Sequence, residues 1–239
     1  MRFEAGVVYR ELTGFRPLEL DLYSPDDPVA TVVYLHGGGW RRGSRRRPVV
    51  PGCFERLVAE GFAVATVDYR LSGEATFPAP LEDVLVALDH LRRPAFLLGE
   101  SAGAHLALLA ALTGSSPVLG VVAWFPPTDL LAMPAGPTSR EAGLLGAAPH
   151  DVPELARAAS PVAHVHAAAP PVLLLHGDND NLVPAEHSVR MAEGLRSAGA
   201  PVELELVPGA GHMWLDADTE SIMDQSVTFL RRLAAPPKR

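Results

Sequence analysis

Residues 95–103 read Ala-Phe-Leu-Leu-Gly-Glu-Ser-Ala-Gly, and residues 104–113 continue Ala-His-Leu-Ala-Leu-Leu-Ala-Ala-Leu-Thr. The opening apolar run has the length of a buried strand, the closing run is helical in composition, and Gly-Glu-Ser-Ala-Gly joins them with no loop between. A chain that passes from strand to helix so abruptly holds the apical residue, Ser101, in a strained backbone conformation with its hydroxyl exposed. At positions 99 and 103 a side chain would collide with neighbouring backbone, and glycine stands at both. Gly114, just past the helical run, is expected to cap it in a left-handed conformation.

Outward from this turn, short β-like runs alternate with amphipathic stretches, the pattern of a mostly parallel sheet with helices on both faces. Eight strands are expected, at residues 5–10, 18–23, 31–36, 63–68, 95–99, 119–124, 171–176 and 202–207. The first two alternate in polarity and are expected to be antiparallel edge strands, whereas runs such as VVYLHG and VLLLHG are apolar throughout and suit strands covered on both faces. Helices are expected after Pro80 (Leu81, Val84, Leu85, Leu88 and Leu91 at helical spacing), at 102–113, at 184–197 and at 219–233. Residues 125–169 are rich in Pro, Gly and Ala, with short helix-like pieces at 139–145 and 152–158, and are a candidate for a small lid within one domain spanning 1–239. The end, 234–239, is expected to fray.

A serine hydroxyl is a weak nucleophile and requires a base, and that base requires a carboxylate to hold its tautomer; in this architecture the chain order is Ser, Asp or Glu, then His. After Ser101, the run HGDNDNLVP places Asp178 and Asp180 just past a buried strand, where ligand sites of such sheets lie. Asp180 is taken as the carboxylate and Asp178 as a turn former. His212, in the glycine-rich GAGH loop after the next strand, is taken as the base. His36 and His176 end strands and are expected to be buried and bonded to backbone. His105 is expected to pack, His164 and His166 fall in the candidate lid, and His90, His150 and His187 are expected at the surface. Acyl transfer also needs donors for an oxyanion, and the glycines of His36-Gly37-Gly38-Gly39-Trp40 leave backbone N–H groups unobstructed. Gly38, Gly39 and Ala102 are the expected donors.

Together HGGGW at 36–40, DYRL at 68–71, FPAPLEDV at 77–84, GESAG at 99–103, HGDNDNLVP at 176–184 and GAGH at 209–212 resemble the α/β-hydrolase superfamily. Within it, the chain is similar to carboxylesterases of the hormone-sensitive-lipase-like and acetyl-esterase-like groups. The resemblance implies a triad of Ser101, Asp180 and His212 and an oxyanion hole from Gly38, Gly39 and Ala102, which agrees with the reading from spacing. It implies a serine hydrolase acting on small carboxylic esters of short acyl chain. His36 lies so early that little chain precedes it to form the N-terminal cap of many hormone-sensitive-lipase-like members, so a short lid and an open site are expected. HGG-x-W also occurs in kynurenine formamidases, and arylformamide cleavage is the alternative. A non-catalytic binding protein of the same fold is the rival from another class, disfavoured because each triad member is present in order.

The remaining features bound the partners. The chain of 239 residues is 48% hydrophobic and 20% charged, with a net charge of −8, which suits a globular core and argues against a nucleic-acid surface. It contains no apolar run near the ~18 residues that cross a bilayer, and neither membrane nor nucleic acid is expected as a partner. A single cysteine, Cys53, excludes an internal disulfide and suggests a cytoplasmic setting. No cofactor and no metal are expected, and a homodimer through an edge strand or the last helix is left open. Trp40 and Trp214 flank the candidate loops and are read either as lining a substrate pocket or as packing beneath the loops. Glu100 is expected to hydrogen-bond behind the turn. Arg41, Arg42, Arg45, Arg46 and Arg47 are read as a solvated loop, with attraction of an acidic substrate as the alternative.

Overall fold

The computed structural model describes residues 1–133 and 136–235. Eight strands form one sheet: β1 (Arg2–Arg10), β2 (Leu18–Ser24), β3 (Ala30–Leu35), β4 (Phe62–Val67), β5 (Ala95–Glu100), β6 (Val118–Trp124), β7 (Val172–Gly177) and β8 (Val202–Val207). Their spatial order is β1-β2-β4-β3-β5-β6-β7-β8; β1 and β2 run antiparallel to their neighbours, and the rest are parallel.

Period-two alternation assigns each strand residue to one of two cores. Val33, Leu35, Ala95, Leu97, Val121, Ala123, Val172 and Leu174 face one layer, packed by α2 (Ala79–Leu91), α3 (Ala102–Thr113) and α6 (Glu186–Ser197). Val32, Tyr34, Phe96, Leu98, Val122, Trp124, Leu173 and Leu175 face the other, packed by α1 (Cys53–Ala59) and α7 (Thr219–Ala234). The central strands therefore need apolar residues at every position, and each fully buried Leu or Phe side chain contributes roughly 2 kcal/mol of transfer free energy. Helix α3 is buried nearly all round, which its Ala- and Leu-rich composition allows.

Residues 125–169 carry two short helices, α4 (Arg140–Leu145) and α5 (Pro153–Ala158), whose Leu144, Leu145 and Ala156 join the core containing α3. Among the described residues no helix is long and apolar enough to cross a membrane.

Four expectations are corrected. Strand β2 is not an edge: it lies between β1 and β4. Its polar residues face arginines rather than water, with Asp21 fully buried against Arg45 and Arg46. Helix α1 was not foreseen, because seven residues behind Pro51 and Gly52 are too few to show a period. Gly114 is extended (φ −78°, ψ 162°) rather than left-handed. A Cβ there would stand 2.6 Å from the Ala110 carbonyl oxygen and from Leu85, so glycine permits the close approach of α2. His187 is buried rather than superficial; its Nδ1 accepts from the N–H groups of Thr128 and Asp129 and pins the chain after β6. Of the tail expected to fray, Ala234 closes α7, and residues 236–239 lie outside the described residues.

Candidate functional site

Loops after β3, β5, β6, β7 and β8 meet at the carboxyl edge of the sheet, where the peptide ends of parallel strands leave room for a ligand. The turn between β5 and α3 supplies Ser101, at φ 51° and ψ −116°, a region that L-residues avoid. Two bonds hold it there: its N–H donates to the Trp124 carbonyl at 2.8 Å, and its own carbonyl accepts from His105 N–H at 3.0 Å. A Cβ at position 99 would lie 2.5 Å from the Gly103 carbonyl, and one at 103 would lie 2.0 Å from the Leu35 carbonyl oxygen, the collisions expected from the sequence.

Asp180 follows β7, with Oδ1 accepting from the N–H groups of Leu182 and Val183, both at 2.9 Å. Its Oδ2 faces His212 Nδ1 at 2.6 Å, and His212 Nε2 lies 3.2 Å from Ser101 Oγ. Three residues separated by 32 and 111 positions in sequence thus form one hydrogen-bonded line. Burial alone would raise the Asp180 pKa, but bonds from His176, His212 and Val183 N–H outweigh it and hold the carboxyl well below the usual range. Asp178 instead accepts from Gly209 N–H at 2.6 Å and ties the Asp180 loop to the His212 loop.

The His212 loop is contorted, with φ near 61° at Met213, Trp214 and Asp216. Backbone bonds from Gly211 N–H to the Leu215 carbonyl and from Ala217 N–H to the Trp214 carbonyl close it. Beneath it Trp214 is 3% exposed, its ring edge-on to Trp124 and Phe125, while Phe125 also stands edge-on to His212 with centroids 4.6 Å apart. Of the two readings of Trp214, packing is the one the structure adopts, since it does not line the cleft. Phe125 was missed; its only signal was its place directly after β6, matching Ser101 after β5.

The loop after β3 is anchored from behind by Glu100, whose carboxylate accepts from Gly37 N–H at 3.0 Å and Val49 N–H at 2.8 Å. Burial pushes the Glu100 carboxyl above its ordinary value, against the pull of these two donors. Gly38 and Gly39 take φ of 117° and 61°, and among the described residues the N–H groups of Gly38, Gly39 and Ala102 donate to no protein acceptor. Trp40 is 1% exposed, contributes to the cleft wall and donates from Nε1 to His105 Nδ1 at 3.2 Å. His36 is buried, stacked on Tyr69, with Nδ1 donating to the Gly37 carbonyl.

The arginine run following this loop is not uniformly solvated. Arg45 is buried among Glu19, Asp21 and Asp68, and Arg46 binds Asp21, whereas Arg42 and Arg47 reach the cleft. The cleft has a volume of about 680 Å³ and is lined by Ser101, His212, Gly38, Gly39, Ala102 and Phe125 among others. Among the described residues no group of three or more His, Cys, Asp or Glu side chains is arranged to hold a metal ion.

A model of the BD-FAE family matches residues 20–195. The chain is 32% identical over 218 residues to Esterase LipQ of Mycobacterium tuberculosis, covering 79% of this chain and 51% of LipQ. It is 29% identical to Esterase LipC of the same organism, covering 79% of this chain and 54% of LipC. The chain therefore spans about half the length of these curated relatives. Among solved structures it superposes on a truncated carbohydrate esterase from gut microbiota with a TM-score of 0.89 and 26% identity, over 98% of this chain and 96% of that one. It also superposes on Thermogutta terrifontis esterase 2 phosphorylated by paraoxon, with a TM-score of 0.79 and 25% identity, over 99% and 96%.

Proposed function

The chain belongs to the BD-FAE family and has the α/β-hydrolase fold, and on that premise we propose that it hydrolyses small carboxylic esters of short acyl chain with Ser101, His212 and Asp180. The observation that carries this reading is the hydrogen-bonded line from Ser101 Oγ through His212 to Asp180 at a strained strand-to-helix turn.

In the proposed reaction His212 Nε2 takes the Ser101 proton as Oγ attacks the ester carbonyl. The electron pair of the C=O bond moves onto oxygen, where the unpaired N–H groups of Gly38, Gly39 and Ala102 are the proposed donors. Losing one such donor costs on the order of 3 kcal/mol of barrier. Collapse expels the alcohol, which takes the proton from His212 and leaves an acyl-serine. Water then attacks the acyl carbon, loses its proton to His212 and releases the acid as the proton returns to Ser101. Asp180, kept ionised by the donors around it, stabilises the imidazolium formed in each half. The names of the LipQ and LipC esterases and the paraoxon-phosphorylated neighbour support ester hydrolysis, and the carbohydrate esterase makes esters of sugars one class to assay.

The test is steady-state hydrolysis of p-nitrophenyl esters from acetate to palmitate by wild type and Ser101→Ala. Turnover that peaks at short chains and vanishes in Ser101→Ala is expected. Equal rates in the two proteins would overturn the reading, and serine-dependent cleavage of N-formylkynurenine in preference to every ester would replace it by the arylformamide alternative.

A further inference from the structure

Three arginines in the cleft have no acidic partner. Arg42, Arg47 and Arg140 line the same cavity as Ser101, and among the described residues none forms a salt bridge. Arginines elsewhere are mostly neutralised: Arg10 and Arg70 by Asp83, Arg45 and Arg46 by Asp21, Arg56 by Asp224, Arg231 by Glu60. Others without a partner, such as Arg92 and Arg93, stand on open surface. Acids outnumber bases in this chain by 28 to 20, so partners were available, and three free guanidinium groups around one cavity are a local reversal of the overall charge.

Arg140 is the most fixed of the three. It opens α4, whose first turn is capped by Ser139 Oγ accepting from Ala142 N–H at 3.0 Å. Its stem lies across the backbone of Gly39, where a Cβ would stand 2.3 Å from Arg140 Cδ. The guanidinium therefore starts beside one of the proposed oxyanion donors. Arg42 and Arg47 are exposed and belong to the cavity's open rim.

The opposing charges do not fully cancel this set. Glu100 and Glu141 line the same cavity, Glu141 buried and with no basic partner among the described residues, so three guanidinium groups face two carboxyl groups and one positive charge is left over. Asp180 lies behind His212, bonded to it, and is not part of the lining. In a cleft with low-dielectric walls such an excess concentrates anions, and a guanidinium fork matches a carboxylate in two bonds.

We propose that the ester taken by this cleft carries a second, free carboxylate, held by Arg140 and drawn in by Arg42 and Arg47. This rests on the ester-hydrolase reading above. The added group takes no part in bond breaking: water still adds across the ester, so a hemiester of a dicarboxylic acid yields the alcohol and the diacid. A carboxylate on the alcohol side yields the acid and a hydroxy acid.

The experiment compares charged esters with neutral counterparts that lack the carboxylate: mono-4-nitrophenyl glutarate with 4-nitrophenyl pentanoate for the acyl side, and 4-acetoxybenzoate with phenyl acetate for the alcohol side. The expected result is a kcat/KM advantage of about tenfold or more for the anion in one pair, carried mainly by KM. That advantage should shrink in about 0.5 M NaCl, where the Debye length is a few ångströms. Arg140→Gln should abolish it and Arg42→Gln with Arg47→Gln should reduce it, while Arg93→Gln, far out on the surface, should leave it. Neutral esters favoured in both pairs, or a ratio unmoved by Arg140→Gln and by the double variant, would overturn the proposal. So would acetylthiocholine outrunning its neutral analogue, which would give the charge preference to Glu141. If no ester is turned over, the ester-hydrolase reading fails by itself, and calorimetry with Ser101→Ala still decides the inference. Binding of glutarate without binding of glutaramide supports it, and binding of neither overturns it.

Discussion

His176 brings its Nε2 within 3.4 Å of Asp180 Oδ2, the same carboxylate oxygen that His212 reaches at 2.6 Å. The same Nε2 lies 2.9 Å from the Val183 carbonyl, which can only accept, so Nε2 carries the proton. The Ser188 hydroxyl lies 2.7 Å from Nδ1 on the other side of the ring. A buried imidazole at the end of β7 therefore restrains the carboxylate that in turn restrains His212.

His176 should thus act as a positioning residue. His176→Phe keeps a ring of similar size but loses the N–H, and kcat for a p-nitrophenyl ester is expected to fall by about tenfold with KM little changed. His176→Gln, which retains a donor, is expected to recover part of that loss. Equal kcat in the two variants and wild type would show that Asp180 is held by its Leu182 and Val183 N–H donors alone.

Backbone strain at Ser101 makes a second prediction, independent of turnover. A non-glycine residue at φ 51° and ψ −116° costs about 1–3 kcal/mol, part of which glycine recovers despite the larger entropy of its unfolded chain. Ser101→Gly should therefore be more stable than Ser101→Ala by about 1 kcal/mol, or a few degrees in Tm for a chain of this size. A Tm for Ser101→Gly at or below that of Ser101→Ala would show the turn to be unstrained.

What could be read from the sequence follows from which physical signals are local. Alternation along β3, β5, β6 and β7 exposed both cores, because a strand buried on two faces must be apolar at each step. Ser101, Asp180 and His212 could be grouped from the sequence because each lies in a loop within five residues of the end of a strand, and the parallel sheet carries such loops to one edge. The misses are residues whose role is set by partners far along the chain. Arg45 looked solvated until Asp21 and Asp68 came beside it; His187 looked superficial until Thr128 and Asp129 did. Trp214 and Phe125 pack against each other across 89 positions, which no pattern within either loop announces.

Gly103 offers a contrast between close approach and free space. Its missing side chain lets α3 sit against β3, and a Cβ there would lie 2.0 Å from the Leu35 carbonyl oxygen and 2.5 Å from that of His36, both backbone atoms that cannot swing aside. Gly103→Ala should destabilise the fold by about 3 kcal/mol or more and distort the Ser101 turn. Gly209→Ala, with φ 74° but nothing within 4 Å, should cost only about 1 kcal/mol. Urea unfolding of the two variants measures the difference, and equal losses would mean that α3 can shift to admit a methyl group.

The last prediction concerns acid. His105 is fully buried, accepts the Trp40 Nε1–H at Nδ1 and donates from Nε2 to the Ala159 carbonyl at 2.7 Å, so only the neutral ring satisfies both partners. Burial pushes its pKa down to about 4 from an ordinary 6.5. Between those values the unfolded chain binds a proton that the folded chain refuses, so stability is complete above about pH 6.5 and falls as the pH drops towards 4. The loss attributable to His105 amounts to roughly 3 kcal/mol, since each pH unit of separation is worth about 1.4 kcal/mol. His187, also pushed down to about 4 by burial, adds a loss of the same sign in the same window. Glu100 works the other way, because its raised pKa means that acid relieves a buried charge. His105→Gln can accept from Trp40 and donate to Ala159 without titrating, so its stability measured by urea unfolding should decline less steeply from pH 6.5 to 4 than that of wild type. Parallel curves would show that the imidazole keeps its ordinary pKa. Because His105 holds Trp40, and Trp40 closes the glycine loop, protonating this buried ring should also loosen the proposed oxyanion donors before the fold is lost.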